Sequence, residues 1–314
     1  MEFRRVCVIG GSGFVGCHVA RLLSAERYLV SVPTRNRERA KSLILLPTVD
    51  VINADVHDPA ALATQLRGMD AVINLVGVLH NGRGERSFEA AHVGLTRKII
   101  AACDTAGVRR YLHMSALGAD ANGPSRYQRT KGAAEALVRD SKLDWTIFRP
   151  SVIFGREDRF LNMFAHLQRL LPVILLGRPH ARFQPAFVED VAAAIVTALD
   201  NRDAYGHSYD LCGPRVYTLR ELVEVVGRLT GHCRPVIGLP DGLAYLQATV
   251  LEFLPGKLLT RDNYHSMQVD NVCDQSFPFG IRPKALEAEA PQWLAAASPR
   301  ARYRDYRGQA RRIS

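Results

Sequence analysis

The feature that most constrains this chain is Gly10-Gly11-Ser12-Gly13-Phe14-Val15-Gly16. It lies between an apolar run, Arg5-Val6-Cys7-Val8-Ile9, and a segment carrying Val15, Val19, Leu22 and Leu23 at helical spacing. A strand, a sharp turn and a helix in that order need glycine where the backbone bends and where the helix packs closely on the strand. The segment satisfies two spacings at once, Gly11/Gly13/Gly16 and Gly10/Gly13/Gly16. Where Cβ atoms are missing a phosphate can approach the backbone, and the helix start offers unpaired N–H groups and the positive end of its dipole. Gly10, Ser12, Gly13, Phe14, Val15 and Gly16 are therefore expected to cradle the pyrophosphate of a dinucleotide.

The surrounding pattern supports that placement. Strands are expected at 5–9, 28–32, 50–53, 71–76, 111–114 and 145–148, with helices over 38–45, 60–66, 88–106 and 127–140. Such alternation predicts an α/β fold, a Rossmann-type doubly wound parallel sheet with helices on both faces. At 314 residues the chain has room for a second lobe, since one domain takes roughly 100 to 200 residues. After Pro150, turn signals at Leu176-Gly177-Arg178-Pro179, Cys212-Gly213-Pro214 and Gly238-Leu239-Pro240-Asp241 break the chain into shorter pieces. The expected plan is a dinucleotide-binding domain over 1–155, completed by about 185–213, and a smaller C-terminal substrate lobe from 156–184 and 214–295. A basic tail, 296–314, follows.

The tail matters because the formal charge of +10 is uneven. Six arginines, Arg300, Arg302, Arg304, Arg307, Arg311 and Arg312, face only Asp305, so a net five of those charges lie there. An arginine-rich end is either a solvated, disordered terminus or suits an anionic membrane surface or an acidic protein face, and Tyr303 and Tyr306 alone make no nucleic-acid motif, so no nucleic-acid partner is expected. The longest clean apolar stretch, Val191 to Leu199, is far short of the roughly 20 residues of a spanning helix, so no transmembrane segment is expected. Met1 to Arg5 runs straight into the first strand without a cleavable apolar region. A cytoplasmic protein, peripheral on the cytoplasmic membrane face, follows as the expectation.

Cys7, Cys17, Cys103, Cys212, Cys233 and Cys273 show no CxxC pair and are expected as reduced, small apolar residues. His80, His92, His113 and His180 lack metal-ligand spacing, so no metal is expected. Leu243, Leu246, Val250, Leu251, Phe253 and Leu254 form an apolar helical stripe, expected to serve as core or as a contact between lobes, with a membrane or partner surface as the alternative.

Cofactor choice is read at the end of the second strand. A carboxylate there would hold the 2′-hydroxyl of NAD, and an arginine would accept a 2′-phosphate. The chain reads Val32-Pro33-Thr34-Arg35-Asn36-Arg37 with no carboxylate until Glu38. Arg35 and Asn36 therefore favour NADP(H) over NAD(H). After the third strand Asp55 and Val56 are placed to meet the adenine edge, and after the fourth Leu75, Val76 and Gly77 to line the cofactor ribose. Tyr127 and Lys131 stand one helical turn apart. A neighbouring ammonium favours phenolate and so lowers a tyrosine pKa towards a value useful for proton transfer.

Together the glycine turn, Asp55-Val56, Ser115, Tyr127 with Lys131, and Phe148-Arg149-Pro150-Ser151-Val152-Ile153-Phe154-Gly155 resemble the extended short-chain dehydrogenases/reductases. Leu46-Pro47, Asp55-Val56-His57-Asp58, His113-Met114-Ser115-Ala116-Leu117-Gly118-Ala119 and Phe183-Gln184-Pro185 followed by Val188-Glu189-Asp190-Val191 are similar to a narrower, atypical branch. That branch contains the NAD(P)H-binding accessory subunit of respiratory complex I and its bacterial relatives. The resemblance implies Tyr127 as acid/base, Lys131 as its tuning and ribose-binding partner, and Met114, Pro150, Ser151, Val152 and Ile153 around the cofactor. In members that turn over substrate, a Ser or Thr hydroxyl before the Tyr polarises the substrate carbonyl. Here Ser115 is the candidate, yet the next position, where the strand pattern places the hydroxyl, is Ala116. Two functions follow: a binding and structural member beside a respiratory or quinone-linked membrane complex, or an active NADP-dependent reductase, epimerase or dehydratase on a small carbonyl or sugar-like substrate.

Overall fold

The computed structural model describes residues 4–253 and 258–295. In chain order the elements are β1 (Arg5–Ile9), α1 (Phe14–Ala25), β2 (Leu29–Thr34), α2 (Lys41–Ile44), β3 (Val49–Asn53), α3 (Pro59–Leu66), β4 (Ala71–Asn74), α4 (Leu95–Ala106), β5 (Arg110–Met114), α5 (Arg126–Arg139) and β6 (Asp144–Pro150). There follow β7 (Ile153–Phe154), α6 (Phe160–Leu170), β8 (Ile174–Gly177), β9 (Arg182–Phe183), β10 (Ala186–Phe187), α7 (Val188–Asp200) and β11 (His207–Leu211). The last are β12 (Tyr217–Thr218), α8 (Leu219–Thr230), β13 (Val236–Leu239), α9 (Asp241–Phe253) and α10 (Arg261–Ser266), before two one-turn helices.

Contacts divide the chain into two compact units. Among the described residues the first holds 4–151, 188–212 and 273–282, and the second 152–187, 213–253, 258–272 and 283–295. Segment 273–282, which the sequence pattern assigns to the smaller lobe, thus clusters with the first unit. A disulfide and a ring contact, 4.8 Å between the Tyr209 and Phe279 centroids, tie it there.

The first unit is the expected doubly wound sheet. Its seven strands run in the order β11-β6-β5-β4-β1-β2-β3, and every pair is parallel. The order reverses between β1 and β4, and ligands of such sheets bind outside the strand C-termini at that switch. Strands covered on both faces read as continuous apolar runs, and Val6 to Ile9 are all fully buried. Ile9, Leu62, Leu66, Leu95, Ile99, Tyr111 and Ile147 belong to one core cluster. The helix expected over 38–45 is a 3₁₀ turn, Arg37–Ala40, plus the short α2. That expected over 88–106 opens as a π turn, Glu89–Gly94, before α4.

In the second unit three two-stranded sheets, β7 with β10, β8 with β13 and β9 with β12, accompany α6, α8, α9 and α10. Helix α8 is bounded by strong local signals: a Thr218/Glu221 capping box and the left-handed Gly231.

Two sequence expectations are corrected. Cys212 and Cys273 form a disulfide, with Cα atoms 6.0 Å apart and a sequence separation of 61. No local spacing signals a pairing of that range. The α9 stripe is not core: Leu243, Leu246, Val250 and Phe253 are 53%, 57%, 55% and 80% exposed. The helix packs through its small residues instead, with Ala244 and Ala248 fully buried against Tyr264, Leu239 and Leu259. Leu254 and the arginine tail, 296–314, lie outside the described residues. Among the described residues no helix is long and apolar enough to cross a membrane.

Candidate functional site

The glycine turn forms at the C-terminal end of β1. Gly11 N–H donates to the Val8 carbonyl (3.1 Å) and Gly13 N–H to that of Gly10 (3.0 Å), with Gly10 at φ +84°. A Cβ on Gly16 would run into the Gly10 carbonyl oxygen and the Gly11 Cα. Only glycine therefore lets α1 start so close to the turn. Gly13 is the N-cap and no side chain caps α1, so its first-turn N–H groups stay available to an anion. Phe14 and Val15 open the helix, half-buried, and the Ser12 hydroxyl lies 3.2 Å from that of Thr34 at the end of β2.

Beyond Thr34, Arg35 pairs with Glu85 at 2.6 Å. Asn36 accepts the Glu38 N–H (3.0 Å), so its side chain starts the 3₁₀ turn. Arg35 lines a cavity of about 520 Å³ with Gly82, Arg83, Glu85 and Arg86. The 82–86 loop is held tight by Gly82 N–H on the Arg86 carbonyl (3.0 Å), with Gly84 at φ +58°. Arg83 and Arg86 were missed in the sequence. The Gly-Arg-Gly-Glu-Arg run is visible there, but only the sheet order brings it to the end of β2.

The remaining strand ends follow. Asp55 Oδ1 accepts the His57 N–H (3.0 Å), and Val56 packs on the core. Leu75 N–H continues the ladder to the Ile9 carbonyl (2.9 Å), and Val76 N–H donates to Asn74 Oδ1 (3.1 Å). A Cβ on Gly10 would lie 3.1 Å from both Leu75 C and Val76 N, and one on Gly77 3.4 Å from Lys131 Nζ. A continuous row thus runs from Arg35 through Thr34, Ser12, Gly10, Val76 and Gly77 to Lys131.

Helix α5, started by a Ser125/Gln128 capping box, carries Tyr127 and Lys131. Lys131 is 3% exposed and donates to the Met114 carbonyl at 3.0 Å. Burial pulls its pKa down to about 8 against the opposing charge of Glu135. Glu135, buried itself, is bound by Arg149 (Nε, 2.8 Å) and Arg139 (2.6 Å). The Tyr127 ring meets Phe88 and His92 edge-on, with centroids 5.8 and 5.5 Å away. His92 Nε2 accepts the Val78 N–H (3.3 Å), which leaves Nδ1 to donate to Thr130 Oγ1 (2.9 Å). Burial first, then the charge of Lys131, lowers the His92 pKa to about 2, so it stays neutral. His92 was read in the sequence only as a non-ligand; the π turn that aims it carries no signal of its own.

Ser115 N–H pairs with the Phe148 carbonyl (2.7 Å), but its hydroxyl is buried with no hydrogen-bond partner. The hydroxyl therefore points into the protein, while Ala116 is half-buried. Beneath the same end of the sheet, Asn74 donates to the Tyr111 hydroxyl and His113 Nδ1 lies 3.1 Å from that oxygen. Burial lowers the His113 pKa to about 3.

After β6 the Pro150 carbonyl accepts the Leu117 N–H (2.9 Å) and Ser151 N–H donates to the Leu211 carbonyl (3.0 Å). Val152 N–H donates to Asn271 Oδ1 (3.1 Å), and Ile153 pairs with Ala186. Leu211 and Asn271, distant in sequence, gave no sign of this role. An uncapped helix start, a cradle that Cβ atoms would fill and a basic cavity at the far end of the row fit a dinucleotide.

Residues 10–162 match the family described as NAD(P)H-binding. Over 311 residues the chain is 31% identical to the mitochondrial NADH dehydrogenase (ubiquinone) 1 alpha subcomplex subunit 9 of Mus musculus, covering 96% of this chain and 80% of the relative. The chain belongs to this NAD(P)H-binding family. The subunit of the same description from Arabidopsis thaliana is 35% identical over 260 residues, 80% of this chain, and the chain spans 64% of that relative's length. Among solved structures, a dTDP-glucose 4,6-dehydratase from Streptomyces venezuelae with NAD bound superimposes with TM-score 0.73 at 20% identity, covering 92% of this chain and 95% of that one. That likeness shows the shared Rossmann-like fold.

Proposed function

We propose that this family member holds NADP(H) as a lasting part of its structure, beside a membrane-seated NADH dehydrogenase complex or a quinone-linked enzyme, and does not turn substrate over at a useful rate. The observation that carries the cofactor choice is the cavity lined by Arg35, Arg83 and Arg86 at the end of β2, where a 2′-phosphate would enter. In this reading the phosphate displaces Glu85 from Arg35. Gly10, Ser12, Gly13, Phe14, Val15 and Gly16 hold the pyrophosphate, Asp55 and Val56 the adenine side, and Leu75, Val76, Gly77 and Met114 the nicotinamide ribose, with Lys131. Pro150, Ser151, Val152 and Ile153 supply backbone around the nicotinamide. When bound, the nicotinamide supplies hydride-transfer chemistry.

Poor turnover follows from Ser115, whose hydroxyl is enclosed. Losing one donor to a developing oxyanion typically costs about a hundred- to a thousandfold in rate. The relatives' names supply the complex, and the apolar face of α9 and the arginine tail supply the means of peripheral attachment at the cytoplasmic membrane face. Mass spectrometry of the natively purified protein tests the reading: NADP(H) released on denaturation supports it, and NAD(H) or no nucleotide refutes it. A second reading, an active NADP-dependent reductase, epimerase or dehydratase, is favoured by Tyr127 and Lys131 on one face of α5. Fast carbonyl reduction abolished in Tyr127→Phe would establish that reading in place of the first.

A further inference from the structure

We propose that Cys212 and Cys273 are a reversible thiol–disulfide switch that sets how firmly the backbone at Ser151 and Val152 is held, and through it the affinity for the dinucleotide. The effect on affinity rests on the dinucleotide reading above; the switch itself rests on geometry. Each sulfur lies beside a residue that fixes one of two consecutive peptide N–H groups. Leu211, immediately before Cys212, accepts the Ser151 N–H at 3.0 Å. Asn271, two residues before Cys273, accepts the Val152 N–H through Oδ1 at 3.1 Å. Asn271 is itself stitched down, its N–H on the Arg182 carbonyl (2.9 Å) and its carbonyl accepting the Gln184 N–H (3.0 Å).

Both cysteines also stand where the chain passes between the units, at 212/213 and 272/273. The bond joins two segments of the first unit, 188–212 and 273–282, at the end of one and the start of the other. Segment 273–282 enters the first unit through Cys273, and Tyr209 packs on Phe279 further along it. Breaking the S–S bond removes the tie at the head of that segment and leaves the ring contact nearer its end. The Leu211 and Asn271 acceptors then lose their common restraint.

Cys212 is 5% exposed and Cys273 half-buried, so attack is assigned to Cys273, the more exposed residue of the pair. A glutathione thiolate attacks Cys273 Sγ, forms a mixed disulfide and releases Cys212 as thiolate, which takes up a proton. A second glutathione thiolate attacks the glutathione sulfur of that mixed disulfide, releasing Cys273 and leaving glutathione disulfide. Two electrons reduce the protein bond and two glutathiones are oxidised; glutathione disulfide drives the reverse. Intracellular disulfides are most often of this transient, sensing kind.

The test uses the full chain in glutathione buffers of graded ratio. Peptide mapping after maleimide trapping reads the thiol state, calorimetric titration with NADPH reads affinity, and hydrogen exchange reads the Ser151 and Val152 amides. The oxidised protein should bind more tightly. If the reduced loop is competent roughly a tenth of the time, affinity falls about tenfold, and Cys212→Ser and Cys273→Ser should match the reduced protein. Faster amide exchange at 151 and 152 on reduction supports the switch even if a serine variant misfolds. Failure to form the 212–273 bond in glutathione disulfide overturns it, as does unchanged exchange at both amides. Equal NADPH affinity in both states overturns the link to the nucleotide. Absence of nucleotide binding in both states, with exchange still redox-dependent, refutes the dinucleotide reading and leaves the switch standing.

Discussion

The two units use apolar residues in opposite ways. Among the described residues, four large exposed apolar side chains lie in the first unit and eleven in the second. In the first, parallel strands buried on both faces consume the apolar pattern. In the second, α9 turns its small residues inward and its large ones outward, and Leu175 and Ile237, cross-strand partners on β8 and β13, are 52% and 51% exposed. Exposed apolar patches of this kind mark surfaces that contact something else. The first unit therefore spends its large apolar side chains on its own core, and the second leaves more of them at the surface.

The largest expected effect lies in the first unit. Ile99 is fully buried, so Ile99→Ala should cost about 2–5 kcal/mol in urea unfolding; a cost near zero would show that this core is not the stable half.

Next comes pH. Lys131 titrates near 8 when folded, below its ordinary 10.5. Between these values the unfolded chain binds the proton and the folded chain does not, so stability rises with pH from about 8 to 10.5, by an order-of-magnitude 3 kcal/mol. Denaturant melts of the wild type and Lys131→Met across that window should differ in slope, the variant lacking this rise. Parallel curves would mean that Lys131 is solvated.

Smaller again is the cofactor effect. Arg35→Ala should weaken NADPH binding by about 1.5–3 kcal/mol, roughly ten- to a hundredfold, and leave NADH affinity nearly unchanged. Calorimetry that finds the two nucleotides equal before the substitution would remove the NADP(H) preference. The smallest effect is expected on α9: Leu246→Ala should change unfolding free energy by no more than about 0.5 kcal/mol. The same change should reduce sedimentation with membranes of the native host at low salt; a large loss of stability with no change in sedimentation would make α9 a structural element.

The first unit was more legible than the second because its signals are local. Glycine spacing at 10–16, the alternation of strands and helices, and the interval between Tyr127 and Lys131 depend on turn geometry and helical periodicity alone. The Rossmann-like sheet and the helix carrying Tyr127 could be read directly from them. The 88–106 helix was legible in extent but not in its π turn, within which His92 meets Val78 and Thr130, residues 14 and 38 positions away in sequence. On α9 the same periodicity misled, since it detects an apolar face without saying whether anything covers it.

By itself, then, the sequence determined that the chain begins with a strand-turn-helix able to receive a phosphate, that a doubly wound sheet follows, and that a phenol and an ammonium share one helical face. Only the tertiary structure decided that Arg83 and Arg86 join Arg35, that the Ser115 hydroxyl turns inward, that His92 meets Tyr127, and that Cys212 finds Cys273. The physical reason is range. Local features follow from steric limits on a few consecutive residues, whereas these pairings form only after strands distant in sequence have been placed in order and the chain has closed on itself.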